Sequence, residues 1–188
     1  IGVKLAQSGA VSALVTNPIE KAVLYGAGFT HPGHTEFLAE LTGAAEPPVM
    51  LLVCPASAKD PGLRVALVTV HLPLAQVAIH LSRTRIIETA QAAARALTQD
   101  FGIENPRLAI AALNPHGGEQ GALGREEIEM IAPAVAGLRA AGINAQGPFP
   151  ADTLFHAGAR RNFDCVICMY HDQALIPLKT IDFAHGVN

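Results

Sequence analysis

Five short runs dominate the chain: VSALVT (11–16), VMLLVC (49–54), RVALVTV (64–70), RLAIAAL (107–113) and DCVICMY (164–170). Their near-continuous apolarity, without strict alternation, fits strands buried on both faces, and such strands need helices on either side of the sheet. Helical periodicity fills the intervals. The spacing predicts a helix over 82–99, with Ile86, Ala90, Ala94 and Leu97 on one stripe and Gly102 just beyond it. A second is predicted over about 125–140, with Ile128, Ile131, Val135 and Leu138 on one face, Gly142 past its end, and Pro133 either bending it or marking a late start. Strands alternating with helices argue for an α/β fold with a mostly parallel sheet joined by right-handed crossovers.

At 188 residues, 50% of them hydrophobic, the chain can build one substantial core or two small lobes around a cleft. Thirteen basic against 16 acidic residues leave a net charge of -3, which gives no footprint for nucleic acid. The pairs Arg83 with Arg85 and Arg160 with Arg161 read as solvated helix faces. No apolar stretch approaches the ~20 residues that cross a bilayer, and no signal peptide is legible, so a cytoplasmic protein without membrane contact is expected. Cys54, Cys165 and Cys168 lie in apolar contexts that suggest buried, reduced thiols. On a strand, Cys165 and Cys168 would point to opposite faces, which argues against a shared metal or disulfide. The chain opens on Ile1 without a methionine and stops at Asn188 without a closing element, so a portion of a longer protein truncated at both ends is expected. No internal domain boundary, repeat or linker stands out.

The chemistry gathers where strands meet loops. His71, His116 and His171 each follow one of the apolar runs, so parallel neighbours would bring all three imidazoles to one sheet edge, where open α/β sheets build their sites. Three histidines with one open position suit a divalent metal, zinc foremost; a histidine that simply caps a strand end is the plainer reading of each alone. The glycine-rich stretch NPHGGEQGALGREE ahead of the second helix is either an anion cradle or a loop needing positive φ. His34, Thr35 and Glu36 stand at a predicted helix start, where Thr35 is either part of a clamp for a phosphate or carboxylate or the helix cap. Lys179 falls about two helical turns after His171 and is either a phosphate ligand or a surface lysine. Asp152 is either a catalytic carboxylate or, as spacing favours, an N-cap.

Taken together, GHTE (33–36), VTVHLPL (68–74), LNPHGGEQG (113–121), GPFPADTLF (147–155), MYHDQALIPLK (169–179) and GVN (186–188) make the chain resemble the 4-hydroxythreonine-4-phosphate dehydrogenase family of the pyridoxal phosphate pathway along essentially its whole length. The resemblance implies a two-lobed α/β/α fold like that of isopropylmalate and isocitrate dehydrogenases, in a homodimer with its active site at the interface. It implies His71, His116 and His171 as metal ligands, one of them donated across the dimer, and His34, Thr35, Lys179 and Asn188 as substrate contacts, with Asp152 a catalytic carboxylate near the metal. The implied reaction oxidises the 3-hydroxyl of 4-phosphohydroxy-L-threonine with NAD or NADP and releases carbon dioxide, giving 3-amino-2-oxopropyl phosphate. Zinc is the first choice of metal, with magnesium or cobalt as others. No G-x-G-x-x-G fingerprint marks the nicotinamide site. Two other readings stand beside this one: a relative acting on a four-carbon sugar acid phosphate or a dihydrodiol carboxylate, and a metal-dependent hydrolase.

Overall fold

The computed structural model describes residues 1–188 apart from 18, 19, 32, 45 and 46. The chain divides into two compact units, Ile1–Pro48 and Val49–Asn188. The sequence offers little punctuation at that division beyond Pro47 and Pro48, which is why no boundary is legible there.

The first unit holds three helices, α1 (Gly2–Gln7), α2 (Lys21–Gly26) and α3 (His34–Thr42). Phe29, His31 and Phe37 pack ring to ring at 5.1–5.2 Å. The run 11–16, expected as a strand, forms bend and coil instead. A strand needs a neighbour to satisfy its backbone, and no described residue pairs with this run; its Val15 is 92% exposed.

The second unit is the α/β fold. Its sheet runs in the order β1-β2-β5-β3-β4, built from β1 (Leu51–Cys54), β2 (Leu63–Leu67), β3 (Leu108–Ala111), β4 (Ala145–Phe149) and β5 (Cys165–Cys168). The pairs β2–β5, β5–β3 and β3–β4 are parallel, while β1 joins β2 antiparallel at one edge. The four remaining apolar runs are thus strands, each shorter than its run. The sequence reading missed β4, because AQGPF breaks its pattern with Gly147 and Pro148; Pro is tolerated there since β4 is an edge.

Helices α4 (Leu74–His80), α5 (Arg83–Gln99), α6 (Ala132–Ala140) and α7 (His171–Ile181) accompany the sheet. One face of the sheet, with Ala66, Ile110, Cys165 and Ile167, shares a core with Ile86, Ala90 and Leu97 of α5 and Val135 and Leu138 of α6. The opposite face, with Val65, Leu67, Ala109, Val166 and Cys168, packs on Ala174, Leu175 and Leu178 of α7. Cys165 and Cys168 therefore do lie on opposite faces, and burial pushes the Cys165 thiol up to about 12.

Helix α5 begins where its sequence says it should, Ser82 accepting the Arg85 N–H as N-cap. The second predicted helix starts late. A π turn spans Glu127–Ile131 before α6, and Pro133, lacking an N–H, sits just past that wider turn. The extra residue shifts the phase of the apolar stripe. Ile128, expected inside, is 45% exposed, and Glu127 is buried in its stead.

Arg160 corrects another expectation. Its side chain is 4% exposed, donating to both carboxylate oxygens of Asp60 and to the Gly62 carbonyl at 2.8 Å, so it ties the β1–β2 connection to the turn before β5. The guanidinium holds the Asp60 carboxyl below the usual range. A lowered folded value means that the contribution is present above the unfolded pKa and lost as pH falls through the folded one. Asp60→Asn should therefore cost on the order of 2 kcal/mol at neutral pH, less than for a fully enclosed pair because the Asp60 end meets water. In urea denaturation across a pH series the gap between variant and parent should close at acid pH; a gap independent of pH would contradict the assignment.

Candidate active site

Parallel pairing carries β2, β5 and β3 side by side, and each of the three histidines follows the C-terminal end of one of them. The pairing persists past the strands: Val68 N–H donates to the Cys168 carbonyl at 2.9 Å and Thr69 N–H to that of Met169 at 3.3 Å. His71 and His171 consequently face each other with ring centroids 5.7 Å apart. They share a pocket of ≈ 430 Å³ whose apolar walls include Leu74, Val77 and Ile176. Two imidazoles on one tetrahedral ion, with metal–nitrogen bonds of about 2 Å, place their centroids about 5 Å apart, so this pair fits a shared cation with little movement.

His116 stands apart from that pair. Among the described residues no group of three His, Cys, Asp or Glu side chains is close enough to hold one ion, and the His116 side chain is 69% exposed. The three-ligand set is not assembled within the described residues of a single chain.

Two of the rings are oriented in the same way. His116 Nδ1 lies 2.7 Å from Glu119 Oε1, and His171 Nδ1 lies 2.7 Å from Asp172 Oδ1. A carboxylate on Nδ1 leaves Nε2 outward as the free donor, the arrangement that metal-binding histidines use. The Glu119 carboxylate, by accepting the ring N–H and then through its charge, raises the His116 pKa, and the charge of Asp152 adds a smaller part.

The loop that carries His116 has an unusual backbone. From His116 through Gln120 every φ is positive, between 43° and 77°, and three of these five residues are not glycine. Left-handed geometry costs a non-glycine residue roughly 1–2 kcal/mol, and such strain persists only where surroundings enforce it. The enforcement comes from Glu127, whose side chain accepts the N–H groups of Leu113 and Asn114 at 2.8 Å and the Asn114 side-chain amide at 2.9 Å. Gly118 has to be glycine on both counts: its φ is +77°, and a Cβ would meet Glu127 Oε2 at 2.5 Å. The positive-φ reading of this loop therefore holds. Glu126 and Glu127 already bring carboxylates to the start of the following helix and engage Asn114 there.

The remaining expected residues are distributed as follows. Thr35 is not the cap of α3; Gly33 holds that position, and His34 and Thr35 open the helix with no side-chain cap. His34 Nδ1 lies 3.5 Å from the Thr16 hydroxyl within the first unit. Asp152 is not a cap either. It lies inside the 3-10 turn Ala151–Thr153, whose N-cap is Pro150. Lys179 lies in the last turn of α7, exposed, its Nζ 5.5 Å from the centre of the Phe183 ring, and two turns from His171. Asn188 follows Val187, which bridges Val53 of β1. Within the second unit, then, the structure brings His71 and His171 together and sets the turn that carries Asp152 beside the His116 loop, Pro150 lying near Gly117, but does not gather Lys179 or Asn188 with the histidine pair.

Sequence reasoning passed over Glu119, Asp172, Glu127, Thr69 and Gln173. A signal existed for the first two, since a carboxylate one or three residues from a ligand histidine is within reach of its ring. None existed for the others, which read as ordinary polar positions.

The profile of the family described as Pyridoxal phosphate biosynthetic protein PdxA matches residues 1–188. The chain belongs to that family. It is 61% identical over 192 residues to the 4-hydroxythreonine-4-phosphate dehydrogenase of Caulobacter vibrioides, covering 100% of this chain and 56% of that protein. A crystal structure of 4-hydroxythreonine-4-phosphate dehydrogenase from Klebsiella pneumoniae superposes with a TM-score of 0.85 at 42% identity, covering 96% of this chain and 52% of that one. A terephthalate 1,2-cis-dihydrodiol dehydrogenase from Burkholderia xenovorans is similar at TM-score 0.76 and 30% identity, covering 99% and 56% of the two chains. The chain spans about half the length of the curated relatives it matches. No helix among the described residues is long and apolar enough to cross a membrane.

Because the His116 pKa is raised, the charged pair with Glu119 stabilises the fold below the ordinary imidazole pKa and fades as pH rises through the folded value. In metal-free protein followed by NMR, the His116 ring should titrate above the ordinary imidazole range, and Glu119→Gln should bring it back down. An unmoved titration in that variant would remove Glu119 as the cause.

Proposed function

We propose that this chain forms part of a cytoplasmic, metal-dependent dehydrogenase that oxidises 4-phosphohydroxy-L-threonine at its 3-hydroxyl and releases carbon dioxide, yielding 3-amino-2-oxopropyl phosphate for pyridoxal phosphate synthesis. The observation that carries the reading is the facing pair His71 and His171 at the C-terminal sheet edge, in a chain 61% identical to a protein of that name. His71, His116 and His171 hold the metal, the set being completed where two copies of the chain meet in a homodimer; the exposure of the His116 side chain, which leaves it open to a partner, supports this arrangement. Neutral imidazoles suit zinc first and cobalt beside it, with magnesium, which nitrogen ligands bind more weakly, as a further alternative.

A divalent cation held by these histidines would supply Lewis acidity toward the hydroxyl and the ketone derived from it, and NAD or NADP would serve as the hydride acceptor. The protein's own part is orientation. Glu119 and Asp172 keep Nδ1 of their histidines engaged, so that Nε2 serves the cation. Asp152, on the turn whose Pro150 lies beside Gly117 of the His116 loop, is the carboxylate suited to take the proton from the substrate hydroxyl. His34, Thr35 and Lys179 hold the remote phosphate, and Asn188 contributes to the same grip, so binding energy far from the reacting carbon serves to align it.

A second reading is favoured by the likeness to the dihydrodiol dehydrogenase: the same scaffold oxidising a cyclic dihydrodiol carboxylate. The substrates separate the two. NADH formation by the full-length protein should appear with 4-phosphohydroxy-L-threonine and not with the dihydrodiol, should vanish on chelation and should return with added zinc or cobalt. His116→Ala should reduce turnover to background while circular dichroism stays unchanged; normal turnover in that variant would refute the metal assignment. Lys179→Ala should lower kcat/KM about a hundredfold through misplacement of the substrate, although the lysine touches no reacting atom. An unchanged kcat/KM would take Lys179 out of the phosphate grip.

A further inference from the structure

We propose that Gln173 is a positioning residue that sets the spacing of the metal-bearing strand ends. It is 93% buried by virtue of its place, 7% of its surface being exposed, in the first turn of α7 between the ends of β5 and β3. Its Oε1 accepts the Met169 N–H at 2.7 Å and its Nε2 donates to the Ala112 carbonyl at 2.7 Å. Met169 lies two residues before His171, and Ala112 four before His116. One amide therefore spans the two backbones that carry those histidines, just where the regular ladder between the strands has stopped.

The same end of Met169 is held from the other side. The Thr69 hydroxyl, 2% exposed and two residues before His71, donates to the Met169 carbonyl at 2.7 Å. Met169 thus receives Thr69 through its carbonyl and Gln173 through its N–H, and the three strand ends are linked in the order β2, β5, β3 by two side chains. Each bond is buried and short, so each resists a slide of one strand end against the next. Hydrophobic packing would keep these strands together at many small offsets; the amide permits one.

This inference rests on the metal reading above, and its test keeps the two separable. Zn2+ affinity is measured by chelator competition on full-length protein, and the visible spectrum of the Co2+-loaded form reports coordination geometry. Gln173→Met preserves length but leaves the Met169 N–H and the Ala112 carbonyl unpaired. Zn2+ affinity should fall at least about tenfold and the Co2+ spectrum should change. Leu138→Ala, a cavity in the core beneath α6, controls for lost stability alone and should leave both readouts as they were. Thr69→Val should weaken Zn2+ binding and Thr69→Ser, which keeps the hydroxyl, should restore it. If Gln173→Met does not fold, Gln173→Glu is read in its place, since it keeps the acceptor for Met169 and loses the donor to Ala112. Parental affinity and spectrum in the Gln173 variant, or losses matched by Leu138→Ala, would overturn the positioning role while leaving the metal site standing. A parent protein that binds neither metal would overturn both.

Discussion

The parallel pairing of β5 with β2 on one side and β3 on the other is the constraint from which the rest of this fold's chemistry follows. Parallel strands deliver their C-terminal ends to the same edge, and each must then leave the sheet through a loop into a helix or turn. Three histidines placed just after three such strands are carried to one edge of the sheet as a consequence of topology, without local sequence proximity. Had any of the three strands run antiparallel, as β1 does, its histidine would have emerged at the opposite edge.

Topology brings the ends to one edge but does not decide where each ring points. At β3 that decision falls to a left-handed turn, in which His116, Glu119 and Gln120 adopt positive φ. Three such residues cost roughly 3–6 kcal/mol. Glu127 accepts three hydrogen bonds from the preceding segment, each contributing roughly 1–1.5 kcal/mol, so the anchor is of the same order as the strain it holds. The π turn is what makes the anchor available. By adding a residue ahead of α6 it rotates Glu127 inward and Ile128 outward, so an irregularity in one helix supports the conformation of the loop before it.

Much of the fold was legible because burial on both faces leaves a plain mark on a strand. Four of the five apolar runs are strands, and Ser82 and the stripe of α5 specify that helix without ambiguity. What escaped was set by neighbours. The run 11–16 has a strand's composition but no partner among the described residues, whereas β4, interrupted by Gly147 and Pro148, is a strand because β3 lies beside it. At the site, His71 and His171 were legible as a pair from their place after apolar runs. Asp152 was misjudged as a cap, and Thr35 left open as one, because residue type near a turn does not tell the cap from the next position; Pro150 and Gly33 hold those places. Arg160 was read as solvated because its partner, Asp60, lies far away in sequence.

The buried polar residues bear on why such a site needs more than a good core. Apart from Thr89 and Arg160, those of the described chain are Thr69, Glu127 and Gln173, and all three bond backbone just upstream of a histidine. Burying an amide or a hydroxyl gains nothing over an apolar side chain of the same shape unless its bonds are made, so stability alone is a weak reason for their presence. Direction is the stronger one. The hydrophobic effect scales with area and tolerates small slides between packed surfaces, whereas a hydrogen bond weakens steeply as its geometry departs from optimum. A cation bound by imidazoles tolerates only tenths of an ångström in its bond lengths. Polar contacts at the sheet edge match that tolerance, and apolar packing beneath them supplies the rigidity against which they act.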